Sequence, residues 1–218
     1  MITRKEMTRM LLKEGLLSCL ANNSFESVTV TSLCKASGIT RSTFYLHYSN
    51  IMEIVDDLVD DAIAYSKPGM VDNNNLQTIA RTLSAASDSV SLREAYDSIF
   101  DRLPLCQRII RHKKYLPLFL DEQISEYVLQ RIIGCEKDRQ GLVVAEALGV
   151  SFDVGVSVFV FLVHGLYAVN KQYKWSQSDE WLEAQKIFLN LFIVGYKENK
   201  HIRFSHSFLV HLRQYTLS

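Results

Sequence analysis

Proline and glycine are scarce, three and nine in 218 residues. So few breakers exclude a loop-rich or collagen-like chain and leave room for long helices. Cysteine is sparse too. Cys19, Cys34, Cys106 and Cys135 lie far apart with no CxxC pair, which excludes a secreted disulfide scaffold and suits reduced thiols in a cytosol. Net charge is absent, with 24 basic and 24 acidic residues, so the total points to no partner. The opening "MITRKEMTRM" lacks the apolar core of a signal peptide, and a cytoplasmic protein is expected. The most apolar run, Val154 to Val169, is shorter than the ~20 residues a membrane span needs and contains His164. It is expected as a buried helix. GxSxG, P-loop, HExxH and Gly-rich nucleotide motifs are missing, so no enzyme and no cofactor are expected. His201, His206 and His211 do not share a helical face and have no carboxylate at ligand spacing, so no metal is expected.

What is present is ordinary globular material, 48% hydrophobic and 22% charged. The charge is unevenly placed. Up to Asn50 the basic residues Arg4, Lys5, Arg9, Lys13, Lys35 and Arg41 outnumber Glu6, Glu14 and Glu26. Directly after it come Glu53, Asp56, Asp57, Asp60 and Asp61 with no base among them. Such a run reads either as a solvated helix face or as a functional asymmetry.

Helical periodicity runs through most of the chain. A first helix is expected from Thr3 to Asn22. Thr29 starts a second, its hydroxyl placed to accept from the Ser32 N–H, with Val28 and Leu33 as a hydrophobic staple. Gly38, free to adopt positive φ, ends it. Thr40 caps a third helix in the same way, with Ile39 and Phe44 as staple. A fourth begins with an Asn50–Glu53 capping box and carries Ile51, Ile54, Val55, Leu58, Val59, Ala62 and Ile63 at helical spacing. "SKPGMVDNNN" (66–75) is the one linker-like stretch and sets an expected boundary between domains 1–66 and 67–218. Beyond it, helices are expected over 76–87, 91–103, 117–137, 152–173 and 179–198, with Pro104 and Pro117 as punctuation. The valines of 154–163 also suit a buried strand, but the length and the neighbours favour a helix. The tail "FSHSFLVHLRQY" (204–215) reads as a further amphipathic helix.

Two short helices joined at "SGIT" behind a long first helix have the layout of a helix-turn-helix. Phe44 and Tyr48, four apart, turn inward with Ile39 and Leu33. Ser42, Thr43, Tyr45 and Leu46 then face out, with Arg41 at the start and His47 near the end. Such a helix can enter a major groove. Arginine donates two bonds to guanine, hydroxyls meet bases or phosphates, and aliphatic carbon meets a thymine methyl. Thr29 and Thr40 sit at helix amino ends, where free N–H groups hold phosphate, and Arg4 and Lys5 can neutralise further phosphates.

Residues 3 to about 64 resemble the DNA-binding domain of the tetracycline-repressor (TetR) family. The run "FESVTVTSLCKASGITRSTFYLHYSNIMEIVDDLV" carries the likeness: Phe25 after the first helix, Thr29 as cap, Ser37-Gly38-Ile39 at the turn, and Thr40 to Tyr48 as the short helix. The resemblance implies DNA contacts at Thr29, Thr31, Arg41, Ser42, Thr43, Tyr45, Leu46 and His47, with Tyr45 and His47 reaching phosphates. It departs from the family at Ile51, where a lysine often grips the backbone, and at Gly15, where alanine is more usual.

The resemblance further implies an all-α fold. In it, an N-terminal three-helix helix-turn-helix domain is joined by a fourth helix to a larger helical ligand-binding and dimerisation domain. Helices near 152–173 and 179–198 would pair with their copies in a homodimer, and their surplus apolar surface argues the same way. Gly155 and Gly165 would allow the close approach. A pocket for a small-molecule effector would draw on Arg108, Arg111, His112, Tyr115, Tyr127, His164 and Tyr167. The expected function is a dimeric transcriptional repressor on a palindromic operator in double-stranded DNA, released by that effector. An adaptor or sensor with a weakened DNA reader is the alternative, motivated by Ile51.

Overall fold

The computed structural model describes residues 3–66, 76–103, 105–109 and 112–198. Every regular element among these is helical: α1 (Arg4–Leu20), α2 (Val30–Ser37), α3 (Arg41–Tyr45), α4 (Ile51–Ser66), α5 (Leu76–Ser84), α6 (Ser89–Ser98), α7 (Leu105–Ile109), α8 (Leu116–Leu120), α9 (Ser125–Leu148), α10 (Phe152–Gln172) and α11 (Asp179–Glu198). Single 3-10 turns sit at Phe25–Ser27, Phe100–Arg102 and Lys113–Tyr115. The fold is all-α. The linker-like stretch 66–75, apart from Ser66, and the tail helix lie outside the described residues, as do Pro104, Arg111 and the histidines at 201, 206 and 211.

Local chemistry sets the helix ends. Thr3 and Glu6 form a capping box on α1: the Thr3 hydroxyl accepts from the Glu6 N–H while the Glu6 carboxylate accepts from the Thr3 N–H. Thr29 and Ser32 do the same for α2. Gly38 ends α2 at φ 66°, a left-handed conformation that only glycine adopts freely. At α4 the expected box is displaced by one residue. Asn50 accepts from the Glu53 N–H at 3.2 Å, but the Glu53 carboxylate reaches back to the Ser49 N–H at 2.8 Å.

Two buried clusters hold the molecule together. The larger starts at Leu12, Leu16, Leu33, Phe44 and Ile54, then continues without a break through α4 to Leu118, Phe119, Leu129 and Phe159. The smaller gathers Ile79 and Leu83 of α5, Leu92 and Tyr96 of α6, Phe100, Leu166 of α10 and Trp181 of α11. Within it Asn170, fully buried, accepts from Trp181 Nε1 at 2.8 Å and Gln185 Nε2 at 3.2 Å.

The expected helix 117–137 is two helices. Asp121 interrupts it: Oδ1 accepts from the Gln123 and Ile124 N–H groups at 2.9 and 3.2 Å. Its Oδ2 accepts from the Phe25 N–H at 2.6 Å, so the break also ties the turn after α1 to the rest of the chain. α9 then runs on to Leu148 and stops at Gly149, φ 66°.

α10 has 21 residues and a mean hydropathy of 1.9 over its most apolar window, long and apolar enough to cross a membrane. It ends one residue before the expected 152–173, and it extends the apolar run Val154–Val169 by Phe152, Asp153 and the polar end Asn170–Gln172. Here it packs along α9. A Cβ on Gly155 would run into Ala145 Cβ at 2.6 Å and Ala145 N at 2.8 Å. A Cβ on Gly165 would strike the Phe188 ring of α11. Both glycines therefore serve close approach within one chain. Val154 of α10 and Ile187 and Leu191 of α11 stay exposed.

Candidate functional site

The turn between α2 and α3 is fixed by a backbone bond on one side and a side-chain cap on the other. Ile39 N–H donates to the Cys34 carbonyl at 3.0 Å, closing the end of α2 behind Gly38. Thr40 then accepts from the Thr43 N–H at 3.2 Å and opens α3. Phe44 is fully buried and Tyr48 nearly so, as their inward register required. Cys34 packs beside them, and burial pushes its thiol above the usual range.

This anchoring leaves one exposed collection of side chains. Thr29, Thr31, Thr40, Arg41 and Ser42 are exposed, Thr43 is half-buried, and Tyr45 and Leu46 stand out at 53% and 81% exposure. Arg41 Nη1 donates to Thr31 Oγ1 at 3.2 Å, so the two helices share a polar contact on that surface. α3 is shorter than the expected Thr40–Tyr48 stretch. The Leu46 and His47 N–H groups donate to Thr43 and Phe44 carbonyls three residues back, at 3.2 and 2.9 Å, which tightens the chain out of α-helix. Leu46 and His47 thus sit on the turn after α3. His47 is half-buried, and its Nδ1 has no hydrogen-bond partner. Arg4 and Lys5 are exposed at the start of α1, and Lys35 is exposed on α2.

Behind this surface, α4 is clasped from two sides. Asp57 takes the Arg9 guanidinium, with Nε at 3.0 Å, and the Tyr48 hydroxyl at 2.5 Å. Arg9 also lies 5.0 Å from the Tyr48 ring centroid. One turn on, Asp61 pairs with Lys13 of α1. Asp56 and Asp60 face the other way and share Arg131 of α9, each at 2.7 Å, and Tyr127 donates to Asp56. The aspartate run is therefore neither a bare solvated face nor simply a repellent one. Burial raises the Asp57 carboxyl, but Arg9 and Tyr48 outweigh it and hold it below the usual carboxylate range. Burial, then the bond to Asp57, pushes the Tyr48 phenol far up. Sequence reading missed these partners; its only signal was two i, i+4 aspartate pairs offset by one residue.

The residues expected around an effector are spread among different tasks. Arg108 is buried and donates to the Leu103 and Ser66 carbonyls at 3.0 and 2.7 Å. Tyr167 is buried and donates to the Ser125 carbonyl at 3.1 Å. Tyr127 belongs to the α4 clasp, and its bond to Asp56 raises its phenol. Tyr115 is buried beneath α1 and α4, and His164 is half-buried on α10. His112 lies edge-on to Tyr65, ring centroids 3.7 Å apart; burial and then the charge of Lys114 lower its pKa.

No protein-family model matches the chain, and no curated protein matches it significantly.

Proposed function

We propose that this chain is a sequence-reading DNA-binding regulator that acts as a two-fold dimer and is released by a small molecule. The observation that carries the reading is the α2–α3 unit. Its turn is held by Gly38 and Thr40, its inner face is sealed by Phe44, and Thr31, Arg41, Ser42, Tyr45 and Leu46 are exposed together. Arginine, hydroxyls and an aliphatic tip are the groups that read base edges in a major groove. The likeness of residues 3–64 to the tetracycline-repressor family supports the same reading.

A two-fold dimer suits the geometry of DNA. Reading helices must sit about 34–36 Å apart to enter successive major grooves. The exposed apolar residues Val154, Ile187 and Leu191 on α10 and α11 supply a surface for the second copy. An effector that binds better when the readers are differently spaced would lower DNA affinity by that difference.

A fluorescence-anisotropy titration on the promoter beside its own gene tests the reading. Salt-sensitive, sequence-preferring binding is expected; indifference to sequence and to salt would overturn it. One observation favours a second reading, a helical adaptor that has weakened its DNA grip. Ile51, at the first position of α4, is half-buried against the main cluster and offers no cation there. A mobility-shift assay with no retarded duplex would select that alternative.

A further inference from the structure

A groove of about 500 Å³ opens between α1, α4 and the Lys113–Tyr115 turn. That volume lies in the range of small-molecule sites, roughly 300–1,000 Å³. Leu58 and Tyr115, each 2% exposed, lie at its base, and Met10 and Leu17 line it from α1. Three carboxylates, Glu6, Glu14 and Asp61, face two ammonium groups, Lys13 and Lys114. Most of this charge is committed. Asp61 pairs with Lys13, Glu6 is turned into the Thr3 cap, and Lys114 stands 4.7 Å from the Tyr115 ring centroid. Glu14 is exposed on the groove and makes no ion pair among the described residues.

We propose that this groove binds an organic cation: an apolar body carrying one amine or onium group. The charge sits against Glu14 and the body lies along Met10, Leu17 and Leu58. An organic anion would meet a lining with one more negative than positive group. The position gives binding a consequence. A body wedged here loads the Lys13–Asp61 contact, and α1 bears directly on α2, where Gly15 meets Ser37. This consequence rests on the regulator reading and deepens it by naming the class of effector; the binding itself does not rest on it.

The test is calorimetric titration of the full chain with tetraphenylphosphonium, without DNA. One saturable site per chain is expected. Glu14→Gln should weaken it by about two- to fivefold, the worth of one exposed charge pair. Met10→Trp, which fills the groove from an exposed position, should weaken it as well. Glu183→Gln, in a separate hollow between α6 and α11, should leave it unchanged. Naphthalene-1-sulfonate should bind more weakly than the cation. No saturable binding, an unchanged Glu14→Gln variant, or equally tight sulfonate binding each overturns the proposal. Because no duplex is in the cell, such a failure leaves the DNA reading standing, whereas a chain that takes the cation but no duplex overturns only the regulator reading.

Discussion

Gly15 of α1 and Ser37 of α2 meet so closely that a Cβ on the glycine would lie 3.1 Å from the Ser37 Cβ and 3.2 Å from its backbone nitrogen, and would collide with its hydroxyl. Ser37 is itself buried and donates to the Leu33 carbonyl at 2.8 Å. The close fit gives a physical reason for a glycine in mid-helix. Gly15→Ala regains about 1 kcal/mol of helix propensity, but overpacking a tight contact costs about 1–3 kcal/mol. The expected outcome is a lower urea midpoint for the variant, measured by circular dichroism. A stabilised variant would show that α1 and α2 separate easily.

Arg41 is exposed and bonded only to Thr31 among the described residues, so its loss should leave folding intact. Arg41→Ala is expected to weaken specific duplex binding by about 1–3 kcal/mol, the worth of one good base contact. Anisotropy titrations against matched and scrambled duplexes measure it. Equal loss on both would make Arg41 a phosphate contact, and no loss would remove it from the reading surface.

Asp57 has a carboxyl lowered in the folded chain by Arg9 and Tyr48 against the opposing effect of burial. A depressed carboxyl contributes stability that is complete above the ordinary aspartate range. That stability drains away as pH falls through the folded value. Asp57→Asn should therefore be less stable than the parent at neutral pH and show a shallower acid limb. Denaturation midpoints taken from pH 7 down to pH 2 test this, and parallel curves for the two proteins would contradict it.

Asn170 is fully buried and accepts from two buried donors, Trp181 Nε1 and Gln185 Nε2. Asn170→Leu strands both, at roughly 1–3 kcal/mol for each unsatisfied group. A clear drop in melting temperature is expected, with the Trp181 emission shifting as its indole partner is lost. A variant as stable as the parent would mean that this polar cluster does not hold α10 to α11.

What the sequence made legible was mostly local. Caps at Thr29 and Thr40 and the turn at Gly38 involve partners within a few residues, so spacing alone located them. Phe44 and Tyr48 followed from helical register, and the exposed face opposite followed from them. The errors arose where distant partners decide. Asp121 stops a helix that periodicity would continue, because its side chain captures two nearby N–H groups and the Phe25 N–H 96 positions away. Arg131 and the aspartates of α4 meet only once the chain is folded. Gly155 and Gly165 looked available to a second copy, yet Ala145 and Phe188 of the same chain occupy those approaches.

The double clasp on α4 also limits how the molecule can bend. Rolling that rod about its long axis would strip Arg9 and Lys13 from one flank and Arg131 from the other at once. Swinging it sideways together with the first helix spares the Arg9 and Lys13 flank and loads the grips of Arg131 and Tyr127, and of Arg108 on Ser66. Any shift of the front end relative to the back is therefore steered into a pivot, with Arg131 as its latch.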